Sequence, residues 1–123
     1  MSEFEPYIRA WRKRWREQRR ADEEAARRAR QLAERLARQL RERYGARRVV
    51  LVGSLARGEF CVGSDIDLAA EGIPVGSFFR AGADLEAAAE GIHVDLVPIE
   101  SANAAFLAHL AEEGIVLHAE RGR

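Results

Sequence analysis

The chain has 123 residues and 47% hydrophobic content, which indicates a single domain with enough apolar residues to form a core. No run of about 18 apolar residues is present, and this excludes a membrane-spanning helix. Basic and acidic residues balance at 20 each, but residues 1–48 hold 16 basic and 8 acidic residues, whereas residues 49–123 hold 4 and 12.

Cysteine content and the N-terminal sequence indicate the cellular setting. The one cysteine, Cys61, excludes an intrachain disulfide and a cysteine-based zinc site, and we interpret it as a neutral filler residue. The acidic N-terminus lacks the basic and apolar segments of a signal peptide. We therefore expect a cytoplasmic protein.

Residues 3–44 predict helix, because almost no helix breaker follows Pro6 and apolar residues recur at helical spacing. The apolar stripe consists of Phe4, Ile8, Trp11 and Trp15, followed by Ala25, Ala29, Leu32, Leu36 and Leu40. Asp22 interrupts the stripe and could serve as an N-cap, so one long helix and two helices separated near residues 20–22 both remain open. Gly45 is expected to end the helix.

This helical region is also the basic half of the chain. Its charge favours a nucleic-acid or acidic-protein partner, or else a solvated helix whose arginines pair with interleaved glutamates. Trp11 and Trp15 need burial against another surface, and a protein interface is favoured over nucleic acid because tryptophans are enriched in interface cores.

The remaining chain alternates between strands and helices. Strands are predicted at 47–52, 65–71, 92–99 and 115–117. A short helical turn is predicted at 55–59, followed by a helix that Ser77 could cap and that runs to about Glu90. A last helix should begin at Ser101 or Asn103 and end at Gly114. This order indicates an α/β domain with helices packed on a mixed sheet.

The main chemical motif is a Gly-Ser pair after the first predicted strand, followed at the second strand by Asp65-Ile66-Asp67. Because residues i and i+2 of a strand lie on one face, Asp65 and Asp67 should point together while Ile66 points into the core. Two carboxylates on one face suit Mg²⁺, which also binds substrate phosphates. Gly53 would let a ligand approach the backbone closely, and Ser54 could donate its hydroxyl and N–H to a phosphate oxygen.

The Gly-Ser pair, the gap of ten residues and the Asp-x-Asp pair resemble the signature of the nucleotidyltransferase superfamily of the DNA polymerase beta type. They are most similar to its minimal nucleotidyltransferases, the MNT proteins. Asp95, on the predicted strand 92–99, matches the third carboxylate of the family pattern. The resemblance covers roughly residues 23–118.

This resemblance implies an α/β (α+β) polymerase beta-like nucleotidyltransferase fold, with a mixed sheet flanked by helices. It divides the chain into an N-terminal helical extension, residues 1–22, and an MNT domain, residues 23–123. Arg57 and Gly58 match the family pattern, whereas Leu55 stands where close relatives usually carry Arg.

The resemblance also implies roles for the motif residues. Asp65 and Asp67 would bridge two Mg²⁺ ions that bind together with ATP, and Asp95 would complete the metal site and could accept a proton. Gly53 and Ser54 would hold the β and γ phosphates.

Two further residues have open roles. Arg57 could pair with the triphosphate or form a core-facing salt bridge. His93 shares a strand face with Asp95 and could form a hydrogen bond near the site, but a partly buried polar residue is the favoured interpretation.

The resemblance implies transfer of a nucleoside monophosphate, AMP from ATP, onto a hydroxyl of a partner protein. Proteins of this size are similar to the antitoxin members of two-component systems, in which the partner is a helical HEPN-domain RNase toxin. Residues 3–20 could also form a homo-oligomer. The alternative hypothesis is a catalytically weak binding module that neutralises its partner by contact through the N-terminal helix; transfer onto a small molecule or RNA is a weaker one.

Overall fold

The computed structural model describes residues 3–120, in which four helices and four strands alternate. In chain order these are α1 (Glu5–Tyr44), β1 (Arg48–Val52), α2 (Gly53–Arg57), β2 (Ile66–Glu71), α3 (Phe78–Ala88), β3 (Val94–Pro98), α4 (Ala104–Glu113) and β4 (Ile115–Ala119). Short 3₁₀ turns at Val75–Ser77 and Ile99–Ser101 lie ahead of α3 and α4. The predicted element order is confirmed. Met1 and Ser2 of the expected extension lie outside the described residues.

The strands form one mixed sheet in the order β3–β2–β1–β4, which confirms the expected fold class. β1 runs antiparallel to β2 and β4, whereas β2 and β3 are parallel. In this register Asp67 of β2 lies beside Asp95 of β3 on one side and beside Val52 of β1 on the other. The sheet therefore brings both carboxylates to the point where β1 ends and Gly53 begins α2.

Helices cover both faces of the sheet, and the face on which each β2 side chain lies determines the position of the site. Ile66 and Leu68 of β2 are fully buried in the larger core with α1 and α3, as predicted, and each contributes roughly 1.5–3 kcal/mol by leaving water. Ala69 belongs to a smaller core with Leu110 of α4. Since strand side chains alternate, Asp67 lies on the α4 face.

The open question about the N-terminal region is resolved in favour of one helix, α1, of 40 residues. Gly45 ends it in the left-handed conformation, as expected. Asp22 is not an N-cap but an internal helix residue, and that interpretation was wrong. Its carboxylate accepts hydrogen bonds from Gln18 Nε2 (3.1 Å) and from the Val62 backbone N–H (2.9 Å), so its demand for donors is met without interrupting the helix.

The N-terminal half of α1 extends away from the domain. Every residue from 3 to 21 is exposed, and burial begins at Asp22. The large side chains of the stripe are open to solvent, with exposed fractions of 40% for Ile8, 62% for Trp11 and 53% for Trp15. The Arg19 guanidinium lies 5.5 Å from the Trp15 ring centroid. Whether residues 1–22 and 23–123 are independent units stays a prediction.

Several predicted element ends were shifted. Helix α2 begins at Gly53 rather than at 55, and α3 ends at Ala88 because Glu90 adopts a positive φ of 55°. Ser77 makes no side-chain cap and closes a 3₁₀ turn instead. Asn103 is the cap of α4, where its Oδ1 accepts the Phe106 N–H at 2.8 Å.

Length alone does not make α1 a membrane segment, because its sequence is rich in charged residues. Within residues 3–120, no helix combines the length and apolar character needed to cross a bilayer.

Candidate active site

The three predicted carboxylates converge at one end of the sheet. Asp67 and Asp95 are register partners on parallel strands, and Asp65 immediately precedes β2. One ligand atom from each of Asp65, His93 and Asp95 lies within 4.8 Å of the others. The arrangement is the one expected from strand alternation together with parallel pairing.

The electrostatics of Asp67 show that these carboxylates are crowded. Partial burial raises the pKa of Asp67, and the neighbouring Asp95 and Asp65 raise it further. Proximity of several carboxylates favours a bound cation, and carboxylate oxygens are the donors that Mg²⁺ prefers. The donor set therefore fits a divalent metal ion.

Gly53 lies against Asp67 and is required there for two reasons. Its φ of 76° lies in the left-handed region, which side-chain-bearing residues rarely adopt. A Cβ at this position would also overlap Asp67 Oδ2. Ser54 follows in α2, and its carbonyl accepts the Glu59 N–H at 2.8 Å, which closes the turn that presents the Gly-Ser pair.

Comparing Gly53→Ala with a control glycine should distinguish the effect of a clash with Asp67 from the effect of backbone strain alone. We expect a loss of stability of about 1–2 kcal/mol from the left-handed backbone, together with at least a tenfold loss of the ATP binding that the motif predicts, because Asp67 must move. The control is Gly45→Ala, whose φ is 71° but whose added Cβ meets nothing within 4 Å. Denaturant unfolding and ATP titration check this. Equal ATP binding by the two variants would contradict the proposed contact.

A cleft of about 480 Å³ opens beside these residues on the α4 face. Gly53, Asp67 and Asp95 line one side, and Phe106 of α4 lines another. Its volume lies within the range of small-molecule sites, and its mixed polar and apolar walls are typical of them.

Arg57 also lines this cleft, but it is held by acidic side chains. Its Nε donates to Glu59 Oε1 at 2.8 Å, and its guanidinium lies 3.8 Å from the carboxylate of Glu113. The side chain is 41% exposed, so this pairing is a surface ion pair rather than the core-facing one considered from the sequence.

Leu55 has a structural explanation. Its side chain is only 8% exposed and belongs to the larger core. At this position of α2 the chain uses an apolar residue for packing, rather than a cation.

The environment of His93 was misjudged from the sequence. It is exposed, not partly buried, and its Nε2 lies 2.9 Å from Asp95 Oδ1. Its Nδ1 lies 2.5 Å from Oε1 of Glu86, a residue of α3. The hydrogen bond with Asp95 raises the pKa of His93, and the charges of Glu86 and Asp95 act in the same direction. The His93–Asp95 contact could have been predicted, because residues two apart in an extended segment share a face. The Glu86 contact could not, because it depends on how α3 packs beside β3.

Comparison with solved structures places this fold among known proteins. The chain is similar to a chain of a toxin–antitoxin structure with AMP-PNP, at 22% identity and a TM-score of 0.62, covering 72% of this chain and 74% of that one. A structure of the tri-AMPylated Shewanella oneidensis HEPN toxin in complex with MNT antitoxin gives 23% identity, a TM-score of 0.57 and coverages of 73% and 72%. The chain is also similar to a Sulfolobus solfataricus protein described as a nucleotidyltransferase. The identity is 17% and the TM-score is 0.52, and the match covers 78% of this chain and 85% of that one. At these identities the likeness concerns the fold.

Sequence comparison gives the family. Among curated proteins no significant match is found. The family model of the nucleotidyltransferase domain matches residues 33–118, which includes the Gly-Ser pair and all three carboxylates. Because the match spans well over half of the chain, the protein belongs to the nucleotidyltransferase domain family.

Proposed function

We propose that this protein uses Mg²⁺ and ATP to transfer AMP onto a hydroxyl of a partner protein. The observation that carries the proposal is the pairing of Asp67 with Asp95 at the mouth of a cleft, with Gly53 in contact with Asp67. Membership of the nucleotidyltransferase family supports the reaction type. ATP, Mg²⁺ and the protein acceptor are part of the proposal.

Each polar group has a role in this reaction. Asp65, Asp67 and Asp95 would hold the metal, which when bound neutralises phosphate charge and lowers the pKa of the attacking hydroxyl. The backbone of Gly53 and the hydroxyl of Ser54 would bind the β and γ phosphates.

The bond changes are those of a direct displacement. The acceptor hydroxyl oxygen bonds to the α-phosphorus, the bond from that phosphorus to the β-phosphate bridging oxygen breaks, and pyrophosphate leaves. Asp95 would accept the hydroxyl proton. Arg57 would exchange its contact with Glu113 for one with the triphosphate, and Phe106 would offer the base an apolar wall.

The partner we propose is a helical HEPN-domain RNase toxin, for which this protein would be the cytoplasmic antitoxin. A structure of similar fold contains a HEPN toxin in tri-AMPylated form, in complex with its MNT antitoxin. An acceptor hydroxyl on the toxin would thereby be modified, and the modification would inactivate the toxin.

We further propose that residues 3–20 dock on this partner. The segment exposes a stripe that includes Trp11 and Trp15 and lies outside the part of the chain that matches the family. It holds 7 basic and 3 acidic residues. In the described part of the chain, no basic residue from Arg9 to Arg16 has an ion-pair partner. This excess of positive charge favours an acidic partner surface over a second copy of the same segment.

The second candidate function is neutralisation by contact alone. It is favoured by the same exposed segment and by the two glutamates that already pair with Arg57. In this case the carboxylates would bind metal and nucleotide weakly.

Calorimetric titration of ATP with and without Mg²⁺ distinguishes the two functions. We expect binding heat that requires Mg²⁺, because the clustered carboxylates repel the triphosphate unless a cation lies between them. Incubation of the partner with α-labelled ATP should then transfer label to it. Absence of heat under both conditions would favour the contact-only function.

A further inference from the structure

We propose that His93 joins Asp65 and Asp95 in a site for a first-row transition-metal ion such as Zn²⁺ or Mn²⁺, bound through the imidazole Nε2. The proposal shares two carboxylates with the proposed function but does not require nucleotidyl transfer. The ligand atoms of the three side chains already lie within 4.8 Å of one another. A metal ion placed among them would need only small side-chain movements.

The imidazole distinguishes this site from a group of surface acids. Carboxylate oxygens alone suit Mg²⁺, whereas an added imidazole nitrogen favours transition metals. Three protein ligands with room for further ones is also the arrangement found at catalytic zinc sites.

Glu86 supplies the outer contact that a metal-binding histidine usually has. Metal ligands of this type typically donate their second ring N–H to a carboxylate, which sets the tautomer and the ring orientation. Nδ1 of His93 lies 2.5 Å from Glu86 Oε1, and the same oxygen accepts the Val94 N–H at 3.0 Å. Glu86 is therefore anchored to β3, and it directs Nε2 towards Asp95.

Access to the site is separate from the cleft beside Asp67. Asp65 and His93 line a second cavity of about 470 Å³, which also borders on Ser64 and Phe60. The His93 side chain is 55% exposed. A metal ion, with water as its remaining ligand, could thus enter without passing Arg57.

Co²⁺ is a suitable probe because its visible absorption reports the ligands and geometry. We expect the full-length, chelator-treated protein to bind Co²⁺ and to release it to Zn²⁺. His93→Gln should weaken Co²⁺ binding at least about tenfold and change the spectrum, and Glu86→Gln should weaken it about 10–100-fold. His109→Gln, which removes a histidine outside the cluster, should leave the Co²⁺ affinity unchanged. The Mg²⁺ affinity of His93→Gln should stay within about twofold of the original, because Mg²⁺ prefers oxygen ligands.

An unchanged Co²⁺ affinity and spectrum in His93→Gln would overturn the proposal. If that variant fails to fold, nitrogen NMR of the unsubstituted protein decides, because Zn²⁺ must shift the Nε2 resonance of His93 and an unshifted resonance refutes the site. Failure of ATP to bind with Mg²⁺, alongside a normal Co²⁺ response, would refute the proposed function and leave this site standing.

Discussion

Replacing Asp67 by Asn is expected to reduce AMP transfer by about 100-fold or more without destabilising the fold. The amide keeps the shape of the side chain but removes the charge that would hold the metal ion. Removal of one well-placed electrostatic group at an active site typically has an effect of this size. The measurement is the rate of label transfer from α-labelled ATP at saturating Mg²⁺.

The same substitution should raise the melting temperature at neutral pH. Burial and the nearby Asp95 and Asp65 raise the pKa of Asp67 in the folded chain. An acid with a raised folded-state pKa stabilises the fold below its unfolded pKa, and this stabilisation is lost as the pH rises through the folded value. The gain in melting temperature from Asp67→Asn should therefore appear as the pH rises through the folded pKa of Asp67, and it should vanish in acid.

Glu112→Gln is the matched control for Asp67→Asn, because Glu112 is an exposed acid on α4 that does not line the cleft. It removes one negative charge from the same acidic half and should leave transfer unchanged. Full activity in Asp67→Asn would show that the metal ion is held elsewhere. A lower melting temperature would show that the Asp67 charge is already compensated without metal.

Deleting residues 1–20 should leave a folded domain that binds Mg²⁺ and ATP but no longer associates with its partner. The deleted residues are all exposed where the structure describes them, so the cores lose nothing. The Asp22 contact to Val62 remains in the shortened chain. Loss of Trp11 and Trp15 from an interface should weaken binding by about 100-fold or more, because buried tryptophans are typical hot spots.

Size-exclusion chromatography with light scattering tests this loss of association. The full-length and the shortened chain are each measured alone and mixed with the HEPN-domain protein. The double variant Trp11→Ala/Trp15→Ala should reproduce the deletion. Lys13→Ala, which lies off the apolar stripe, should weaken association less than tenfold. If the full-length chain alone forms a dimer that the shortened chain does not, the segment binds a second copy instead. Unchanged binding by the shortened chain would refute docking through this helix.

The element order and the strand face of the motif carboxylates could be predicted because their signals are local. Helical spacing places Leu32, Leu36 and Leu40 on one face, and all three are buried. Strand alternation sends Ile66 to the core and Asp67 to the opposite face. These periodicities depend on backbone geometry and need no knowledge of neighbouring elements.

Element ends and isolated polar residues were predicted less well. Asp22 is a residue type favoured at N-caps, but it lies inside the helix, where its carboxylate accepts a hydrogen bond from the N–H of Val62, 40 residues away. His93 was expected to be partly buried, yet it is exposed and its Nε2 lies 2.9 Å from Asp95 Oδ1. In both cases a contact made by folding outweighs the local preference.

The sequence by itself determined the alternating elements and the strand positions of the three carboxylates, because each depends on spacing along one segment. It also determined the nucleotidyltransferase family, because its motif residues resemble the family pattern. Only the tertiary structure decided that α1 is one helix with an exposed N-terminal half. It also decided that Glu113 pairs with Arg57 and that Glu86 contacts His93. These contacts join residues on different elements. Their distances depend on how the helices pack on the sheet, and spacing along the chain does not encode that packing.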